Sequence, residues 1–381
     1  MTDPTPISAS PGSPPARVLL VISDLGYGGA EAQVVALANG LGAFGLDVHV
    51  ATLSTHIPLA ERLDVRARLH PLTGRSPLAL ARLVRQLRPA LLHGFLLDGE
   101  IAAALASLAV RGTVVLGSER STHHDYRAWQ RLLYRCVRGR FAGWVANSDA
   151  GARWHATAFR NEPARYHVVR NGVDTQRFSP GSGANVRVEL GLDAHTPVIG
   201  MFASWKPAKN HAVLLHAVAA LKRRGVRLRV LLVGAPVARA ARGSIDPVSG
   251  VIATLGLGED VCVLPPRADV ERLYRVCTLT VLPSAWEGTP NVCWSPSPAV
   301  YRCTGSDVPG NRENCWHPVR AVSCSTPVMR RSWQTASRPC LAIRRVWPPC
   351  GSPPVRTPKT HHALPACWPP WPRSPGDPPR H

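Results

Sequence analysis

The chain has 381 residues, long enough for two domains with separate cores, and a formal net charge of +21. Such a charge suits partners that are themselves negative: nucleic acid, an anionic membrane face or phosphorylated substrates. No apolar run approaches the roughly 20 residues of a spanning helix, so the chain is expected in the cytoplasm, soluble or at most peripheral at the inner membrane face.

Residues 1–16 are polar and Pro/Ser-rich, as a disordered leader would be rather than a signal peptide. "RVLLVISDL" (17–25) is a short, almost continuous apolar run, the pattern of a strand buried on both faces. A Gly-rich turn, an Ala/Val/Leu-faced helix and the strand "DVHVATL" follow, which makes a right-handed β-α-β unit with a parallel sheet. The same rhythm runs on through "SPLALARLVRQLRP", "ALLHGFL", "GEIAAALASLAVRG", "TVVLGSER", "AWQRLLYRCVRGRF" and "GWVANS", and predicts one doubly wound domain over 17–170. Turn formers in "VRNGVDTQRFSPG" mark a linker at 171–182. A second α/β series, from "PVIGMFA" through "NHAVLLHAVAALKRRG", "LRVLLVG", "VCVLP" and "ADVERLYRVC" to "LTVLPS", predicts a second Rossmann-like domain over 183–292.

Residue usage changes abruptly at Cys293. Residues 293–381 hold 12 of the 45 Lys+Arg, 3 of the 24 Asp+Glu, 7 of 10 Cys, 6 of 11 Trp and 18 of 37 Pro, so this tail is expected not to pack and to leave the second domain incomplete. Cys136, Cys262 and Cys277 are scattered without metal-ligand spacing and read as reduced residues; the tail cysteines show no repeating interval, so no metal site is expected.

Three loops at strand C-terminal ends carry candidate chemistry. In "GYGGAE", Gly28 and Gly29 let backbone amides and a helix N-terminus meet a phosphate, or simply form a tight turn. In "KPAKNH", Lys206 and Lys209 suit a diphosphate, or belong to an exposed basic loop. In "EGTPN", Glu287 can accept hydrogen bonds from sugar hydroxyls, or cap a helix.

"GGAE", "NGVDTQRF", "KPAKNH" and "S-x-x-EGTPN", in this order and spacing, resemble the GT-B glycosyltransferases of family 4 over residues 17–292. The resemblance implies two Rossmann-like domains facing a cleft. The first would bind the acceptor, a glycan or lipid-linked molecule; the second would bind a UDP- or GDP-linked sugar, transferred with retention and without a metal or other cofactor. Gly28, Gly29, Lys206, Asn210, Gly288, Thr289, Pro290 and Asn291 would line the donor site. Lys209 would neutralise the leaving diphosphate, Glu287 would touch the sugar, and His93 in "LLHGF" would lie near the transferred group or else be a buried core histidine. Many relatives carry an Arg about five residues before this Lys, where this chain has Ser204; Lys206 is the candidate substitute.

The family also places a second Glu eight residues after the first, and here that position is Ser295. Codons that straddle residue boundaries permit Leu-Leu-Glu across Val292–Ser295, with Glu in the missing register. "SDVPGNREN" (306–314) then looks in frame again, and Thr326–Met329 permits Pro-Gly-Asp in the shifted frame. A frameshift after Val292 accounts for the tail, against a genuine Pro-rich disordered segment, and implies that this chain is impaired as a transferase. The rivals are a basic nucleic-acid-binding protein, disfavoured because its aromatics do not interleave with Arg on strands, and a GT-B epimerase. "YRAWQRLLYRCVRGRF" (126–141) either rests on an anionic membrane or is an ordinary solvated helix face.

Overall fold

The computed structural model describes residues 15–73, 77–121, 126–174, 176–179, 181–234, 247–291 and 303–305. Most of the leader and most of the 293–381 tail, with Ser295 and the frame-slip positions, lie outside the described residues.

Two parallel sheets organise the chain. The first takes β1 (Arg17–Ile22), β2 (Asp47–Thr52), β3 (Ala67–Pro71), β4 (Leu91–Gly94), β5 (Val114–Glu119), β6 (Gly143–Ala146) and β7 (Tyr166–Val168) in the order β3-β2-β1-β4-β5-β6-β7. Its helices are α1 (Gly29–Ala43), α2 (Pro77–Leu87), α3 (Leu96–Ala106), α4 (Ala128–Val137) and α5 (Asp149–Phe159). The second takes β8 (Val198–Phe202), β9 (Arg229–Val233), β10 (Val261–Leu264), β11 (Leu279–Leu282) and β12 (Cys303–Gly305) in the order β10-β9-β8-β11-β12. With it go α6 (Ala184–Glu189), α7 (His211–Arg223), α8 (Pro247–Thr254) and α9 (Val270–Tyr274). Every strand pair is parallel, and in both sheets the strand order reverses beside the first strand of the domain. That reversal opens a crevice at the strands' C-terminal ends, where such sheets receive ligands.

The apolar runs explain the central strands. Leu19, Leu20, Val21 and Ile22 of β1 are fully buried, with alternate residues feeding cores on opposite faces of the first sheet. β8 and β9 divide likewise between two cores of the second sheet. Glycine is required where α3 crosses the first sheet: a Cβ on Gly99 would lie 2.6 Å from the Val21 carbonyl oxygen, and one on Gly94 2.6 Å from the Glu100 Cα. This close approach packs α3 directly on the backbone of β1 and β4.

β3 and β7 were not anticipated as strands. Both are edges: "ARLHP" and "YHV" keep much of their length exposed and carry no buried run to announce them. α5, α6 and α8 were also missed. The second domain does not stop at Val292: β12 pairs with β11 in parallel beyond that boundary, Thr280 opposite Cys303, and adds a fifth strand from within the segment expected not to pack. "CTG" is too short and polar to be legible as a strand; an open edge of β11 supplies the backbone partners instead.

Candidate functional site

α1 begins at the glycine loop. Gly28, its N-cap, is extended and supplies no side-chain cap. The Glu31 side chain folds back into the space above it, so that a Cβ on Gly28 would overlap the Glu31 carboxylate. Burial raises the Glu31 pKa, its own backbone hydrogen bond opposes that, Asp24 adds to it, and the charge of Lys206 opposes it. A carboxylate of the first domain, at a helix N-terminus, therefore lies within the field of a lysine of the second.

That lysine belongs to the loop after β8. Residues Pro207–Lys209 form a 3-10 turn, and Asn210 takes the left-handed conformation (φ 55°) that lets the chain turn sharply into α7. Lys209 Nζ sits 2.5 Å from Glu287 Oε1, and the Ser284 hydroxyl donates to the same oxygen at 2.6 Å. A backbone bond from Ala285 to the Ala208 carbonyl ties the two loops together. Glu287 and Ser284 are buried.

The residues after Glu287 cross to the first domain. Thr289 Oγ1 donates to the Asn147 carbonyl at 2.6 Å. Asn171 Nδ2 donates to Asn291 Oδ1 at 2.7 Å, and Asn291 Nδ2 donates to the Gly29 carbonyl at 3.0 Å. Pro290 is buried in this crossing. At Gly288 a Cβ would lie 2.5 Å from the Arg120 carbonyl oxygen, so only glycine allows the two backbones to meet.

His93 is the penultimate residue of β4, at the C-terminal end of that strand. It is buried against the Phe95 ring, 4.3 Å between centroids, and its Nε2 has no hydrogen-bond partner among the described residues. Burial, aided by the nearby Arg120 charge and opposed by a hydrogen bond to the Gly117 backbone, pushes its pKa down to about 3. A neutral imidazole with one open nitrogen is suited to hydrogen-bond a neutral ligand hydroxyl. Just beyond it, Leu96 is held in the left-handed region at φ 60°, a strained position of the kind that collects at ligand sites.

The sequence reading missed Arg120. Its guanidinium lies over the Phe95 ring at 5.2 Å and donates to Ser118 Oγ at 2.8 Å and to Asn171 Oδ1 at 3.0 Å. Asn171 thereby joins Arg120 to Asn291, and Arg120 reaches His93 through Phe95. Asn291 thus ties the Glu287 loop, which holds Lys209, to Gly29, Lys206 acts on the carboxylate beside Gly28, and His93 is linked to Asn291 through Phe95, Arg120 and Asn171. Asn171 stands within "NGVDTQRF", a segment that marks both the linker and the family resemblance without singling out this side chain. Among the described residues no cluster of His, Cys, Asp and Glu has the arrangement of a metal site.

Two adjacent family models match the chain. Glycosyltransferase Family 4 covers residues 27–177, and Glycosyl transferases group 1 covers residues 196–313. The chain belongs to the family 4, group 1 glycosyltransferases. The group 1 match runs past Val292 and takes in β12, in agreement with the fifth strand. Among curated relatives, the D-inositol 3-phosphate glycosyltransferase of Mycobacterium sp. (strain KMS) is 31% identical over 208 residues, 49% of this chain and 46% of the relative. EpsF of Bacillus subtilis (strain 168) is 28% identical over 317 residues, 76% of this chain and 79% of its own. The chain thus spans about half the length of the first of these. Of solved structures, HepE of Anabaena in complex with UDP and glucose has a TM-score of 0.67 at 19% identity, covering 87% of this chain and 95% of the other. Sucrose-phosphate synthase from Thermosynechococcus elongatus gives 0.65 at 15%, covering 87% and 93%.

Proposed function

We propose that this chain binds a nucleotide-activated sugar in the crevice between its sheets and is built to transfer that sugar, with retention of configuration, to a hydroxyl of a glycan or lipid-linked acceptor. The observation that carries the reading is the 2.5 Å pairing of Lys209 with Glu287, from the loops that follow β8 and β11. It sets one ammonium and one carboxylate side by side, where a sugar diphosphate needs both.

In the transfer the bond from the anomeric carbon to the diphosphate oxygen breaks and a bond to the acceptor oxygen forms. The acceptor proton leaves with the departing diphosphate. Negative charge grows on that diphosphate in the transition state, so fixed positive groups beside it lower the barrier. Lys209, Lys206 and the amides at the start of α1 are those groups. Glu287 accepts from sugar hydroxyls once the donor draws Lys209 toward its phosphates, and His93 Nε2 holds a further hydroxyl. Glu31, lying at the helix N-terminus where a phosphate would approach, swings aside as the donor enters.

The donor nucleoside is uridine or guanosine. UDP-bound HepE, whose fold this chain shares, makes uridine the first candidate to try. Ser295 stands in the register of the family's second Glu, which would hold the nucleotide ribose, so slow turnover is expected beside measurable donor binding.

Calorimetric titration of the purified chain with UDP-sugars and GDP-sugars tests the reading, paired with an assay for released nucleoside diphosphate. Saturable binding weakened by Lys209→Met supports it. No binding by any nucleotide sugar, with the fold intact by circular dichroism, overturns it.

A further inference from the structure

The face of the first sheet remote from α1 carries a feature that donor chemistry does not use. α2 and α4 flank α3, whose short alanines leave it recessed, and both flanking helices turn apolar side chains outward. On α4, Trp129 and Leu132 are 57% and 64% exposed; on α2, Leu78 is 67% exposed; and Leu108, in the 3-10 turn after α3, is 66% exposed. Arginines accompany them: Arg131 and Arg135 on α4, Arg82 and Arg85 on α2, all exposed and none in an ion pair among the described residues. Neither helix contains an acidic residue.

Helical spacing explains the arrangement. Tyr134 and Val137 of α4 turn inward, with the Tyr134 hydroxyl accepting from Trp144 Nε1 at 2.7 Å. That anchoring fixes Trp129 and Leu132, three apart, on the outer side with Arg131 and Arg135, four apart, beside them. A water-facing helix has no use for a Trp/Leu stripe, and a protein partner would be expected to answer some of the arginines with buried polar groups. An indole and leucines flanked by unpaired arginines, with no carboxylate on either helix, match an anionic lipid surface: the apolar groups enter the acyl boundary while the guanidiniums meet phosphates.

We propose that α2 and α4 form a docking surface for an anionic lipid bilayer. The surface also has a direction. α2 and α4 start from the C-terminal ends of β3 and β5, and the β5 end carries Ser118 and Arg120 of the crevice. Leu78 and Trp129 therefore lie at the crevice end of the face, so a chain resting on lipid holds its crevice mouth near the headgroups. An acceptor whose anchor stays in the bilayer is the kind that this placement serves. The lipid contact itself does not depend on the transferase reading.

Co-sedimentation of the full-length chain with phosphatidylcholine vesicles, with and without phosphatidylglycerol, tests the surface directly. The expected result is salt-sensitive binding to the anionic vesicles, reduced roughly tenfold or more by Arg131→Glu with Arg135→Glu. Trp129→Ser with Leu132→Ser should weaken binding that persists in high salt. Arg223→Glu with Arg224→Glu, an equal charge change on the second domain, should leave binding near the parent level. Circular dichroism melts check that each variant is folded. If the parent ignores anionic vesicles, if both reversals act equally, or if a labelled single-stranded RNA binds through α4 while vesicles do not, the proposal fails.

Discussion

Lys209 Nζ and Glu287 Oε1 lie 2.5 Å apart although 78 residues separate them in the chain. Both side chains are mostly shielded from solvent, and the Ser284 hydroxyl donates to the same carboxylate oxygen. Removing the lysine alone takes the opposite charge away from a buried carboxylate. Lys209→Met should therefore cost roughly 1–3 kcal/mol of stability and weaken nucleotide-sugar binding about tenfold or more. Adding Glu287→Gln should recover part of the stability but none of the affinity. A double-mutant cycle by urea denaturation, run beside a donor titration, checks both.

Gly288 and Gly28 separate a rigid limit from a soft one. A Cβ at Gly288 meets the Arg120 backbone, whereas one at Gly28 meets only the mobile end of Glu31. Gly288→Ala should force the domains apart and abolish measurable donor binding, while Gly28→Ala should reduce it mildly. Equal effects of the two in the same titration would contradict this geometry.

Acid should destabilise the fold through histidine. His93 takes its proton near its ordinary value of 6.5 when unfolded but only near about 3 when folded. Its contribution is fully present above 6.5 and is lost as pH falls toward 3, roughly 3 kcal/mol by pH 4. His49 and His70, mutually hydrogen-bonded across β2 and β3, are also lowered by burial and act in the same direction. Melting temperatures of the parent should drop below pH 6.5, and those of His93→Gln should drop less.

Glu100 predicts the opposite limb. Buried on α3 beside Glu119, with its Oε1 accepting from the Ser118 amide at 2.6 Å, it has a pKa raised well above 4.5 by burial first and by Glu119 second. The folded state keeps its proton, so the stability it contributes is present below 4.5 and fades as pH rises through the folded value. Glu100→Gln, a neutral isostere, should raise the melting temperature at pH 8 and leave it nearly unchanged at pH 4.

Tyr134→Phe should leave Trp144 Nε1 without its acceptor in a buried aromatic cluster, at a cost of roughly 1–3 kcal/mol. Chemical denaturation measures that loss, and donor affinity should not change.

Central strands were legible because burial on both faces forces continuous apolar runs: "RVLLVI" and "RVLLV" can hardly be anything else. Edge strands escape that logic. "ARLHP" mixes exposed Arg68 with half-buried neighbours, and "CTG" is recruited by an open sheet edge. The site divides in the same way. Lys209, Glu287 and the glycine loop stood in motifs whose joint order gave them meaning. Arg120 did not stand out, because one arginine among 45 basic residues carries no signal until the fold buries it against Phe95 and aims it at Asn171. Glu31 was passed over for a similar reason, since an acid in the first turn of a helix is ordinary until its neighbour proves to be a lysine from the other domain.

The loop from Glu287 to Asn291 has a mechanical side. The carboxylate opens the segment, and Thr289 and Asn291, which fasten it to Asn147, Asn171 and Gly29, follow within four residues. Any excursion that parts the two sheets must strain this short span, and the strain arrives at the carboxylate almost undamped. The gap between the sheets and the position of the Glu287 carboxylate are therefore coupled, so an agent that props the sheets apart shifts that carboxylate without ever touching it.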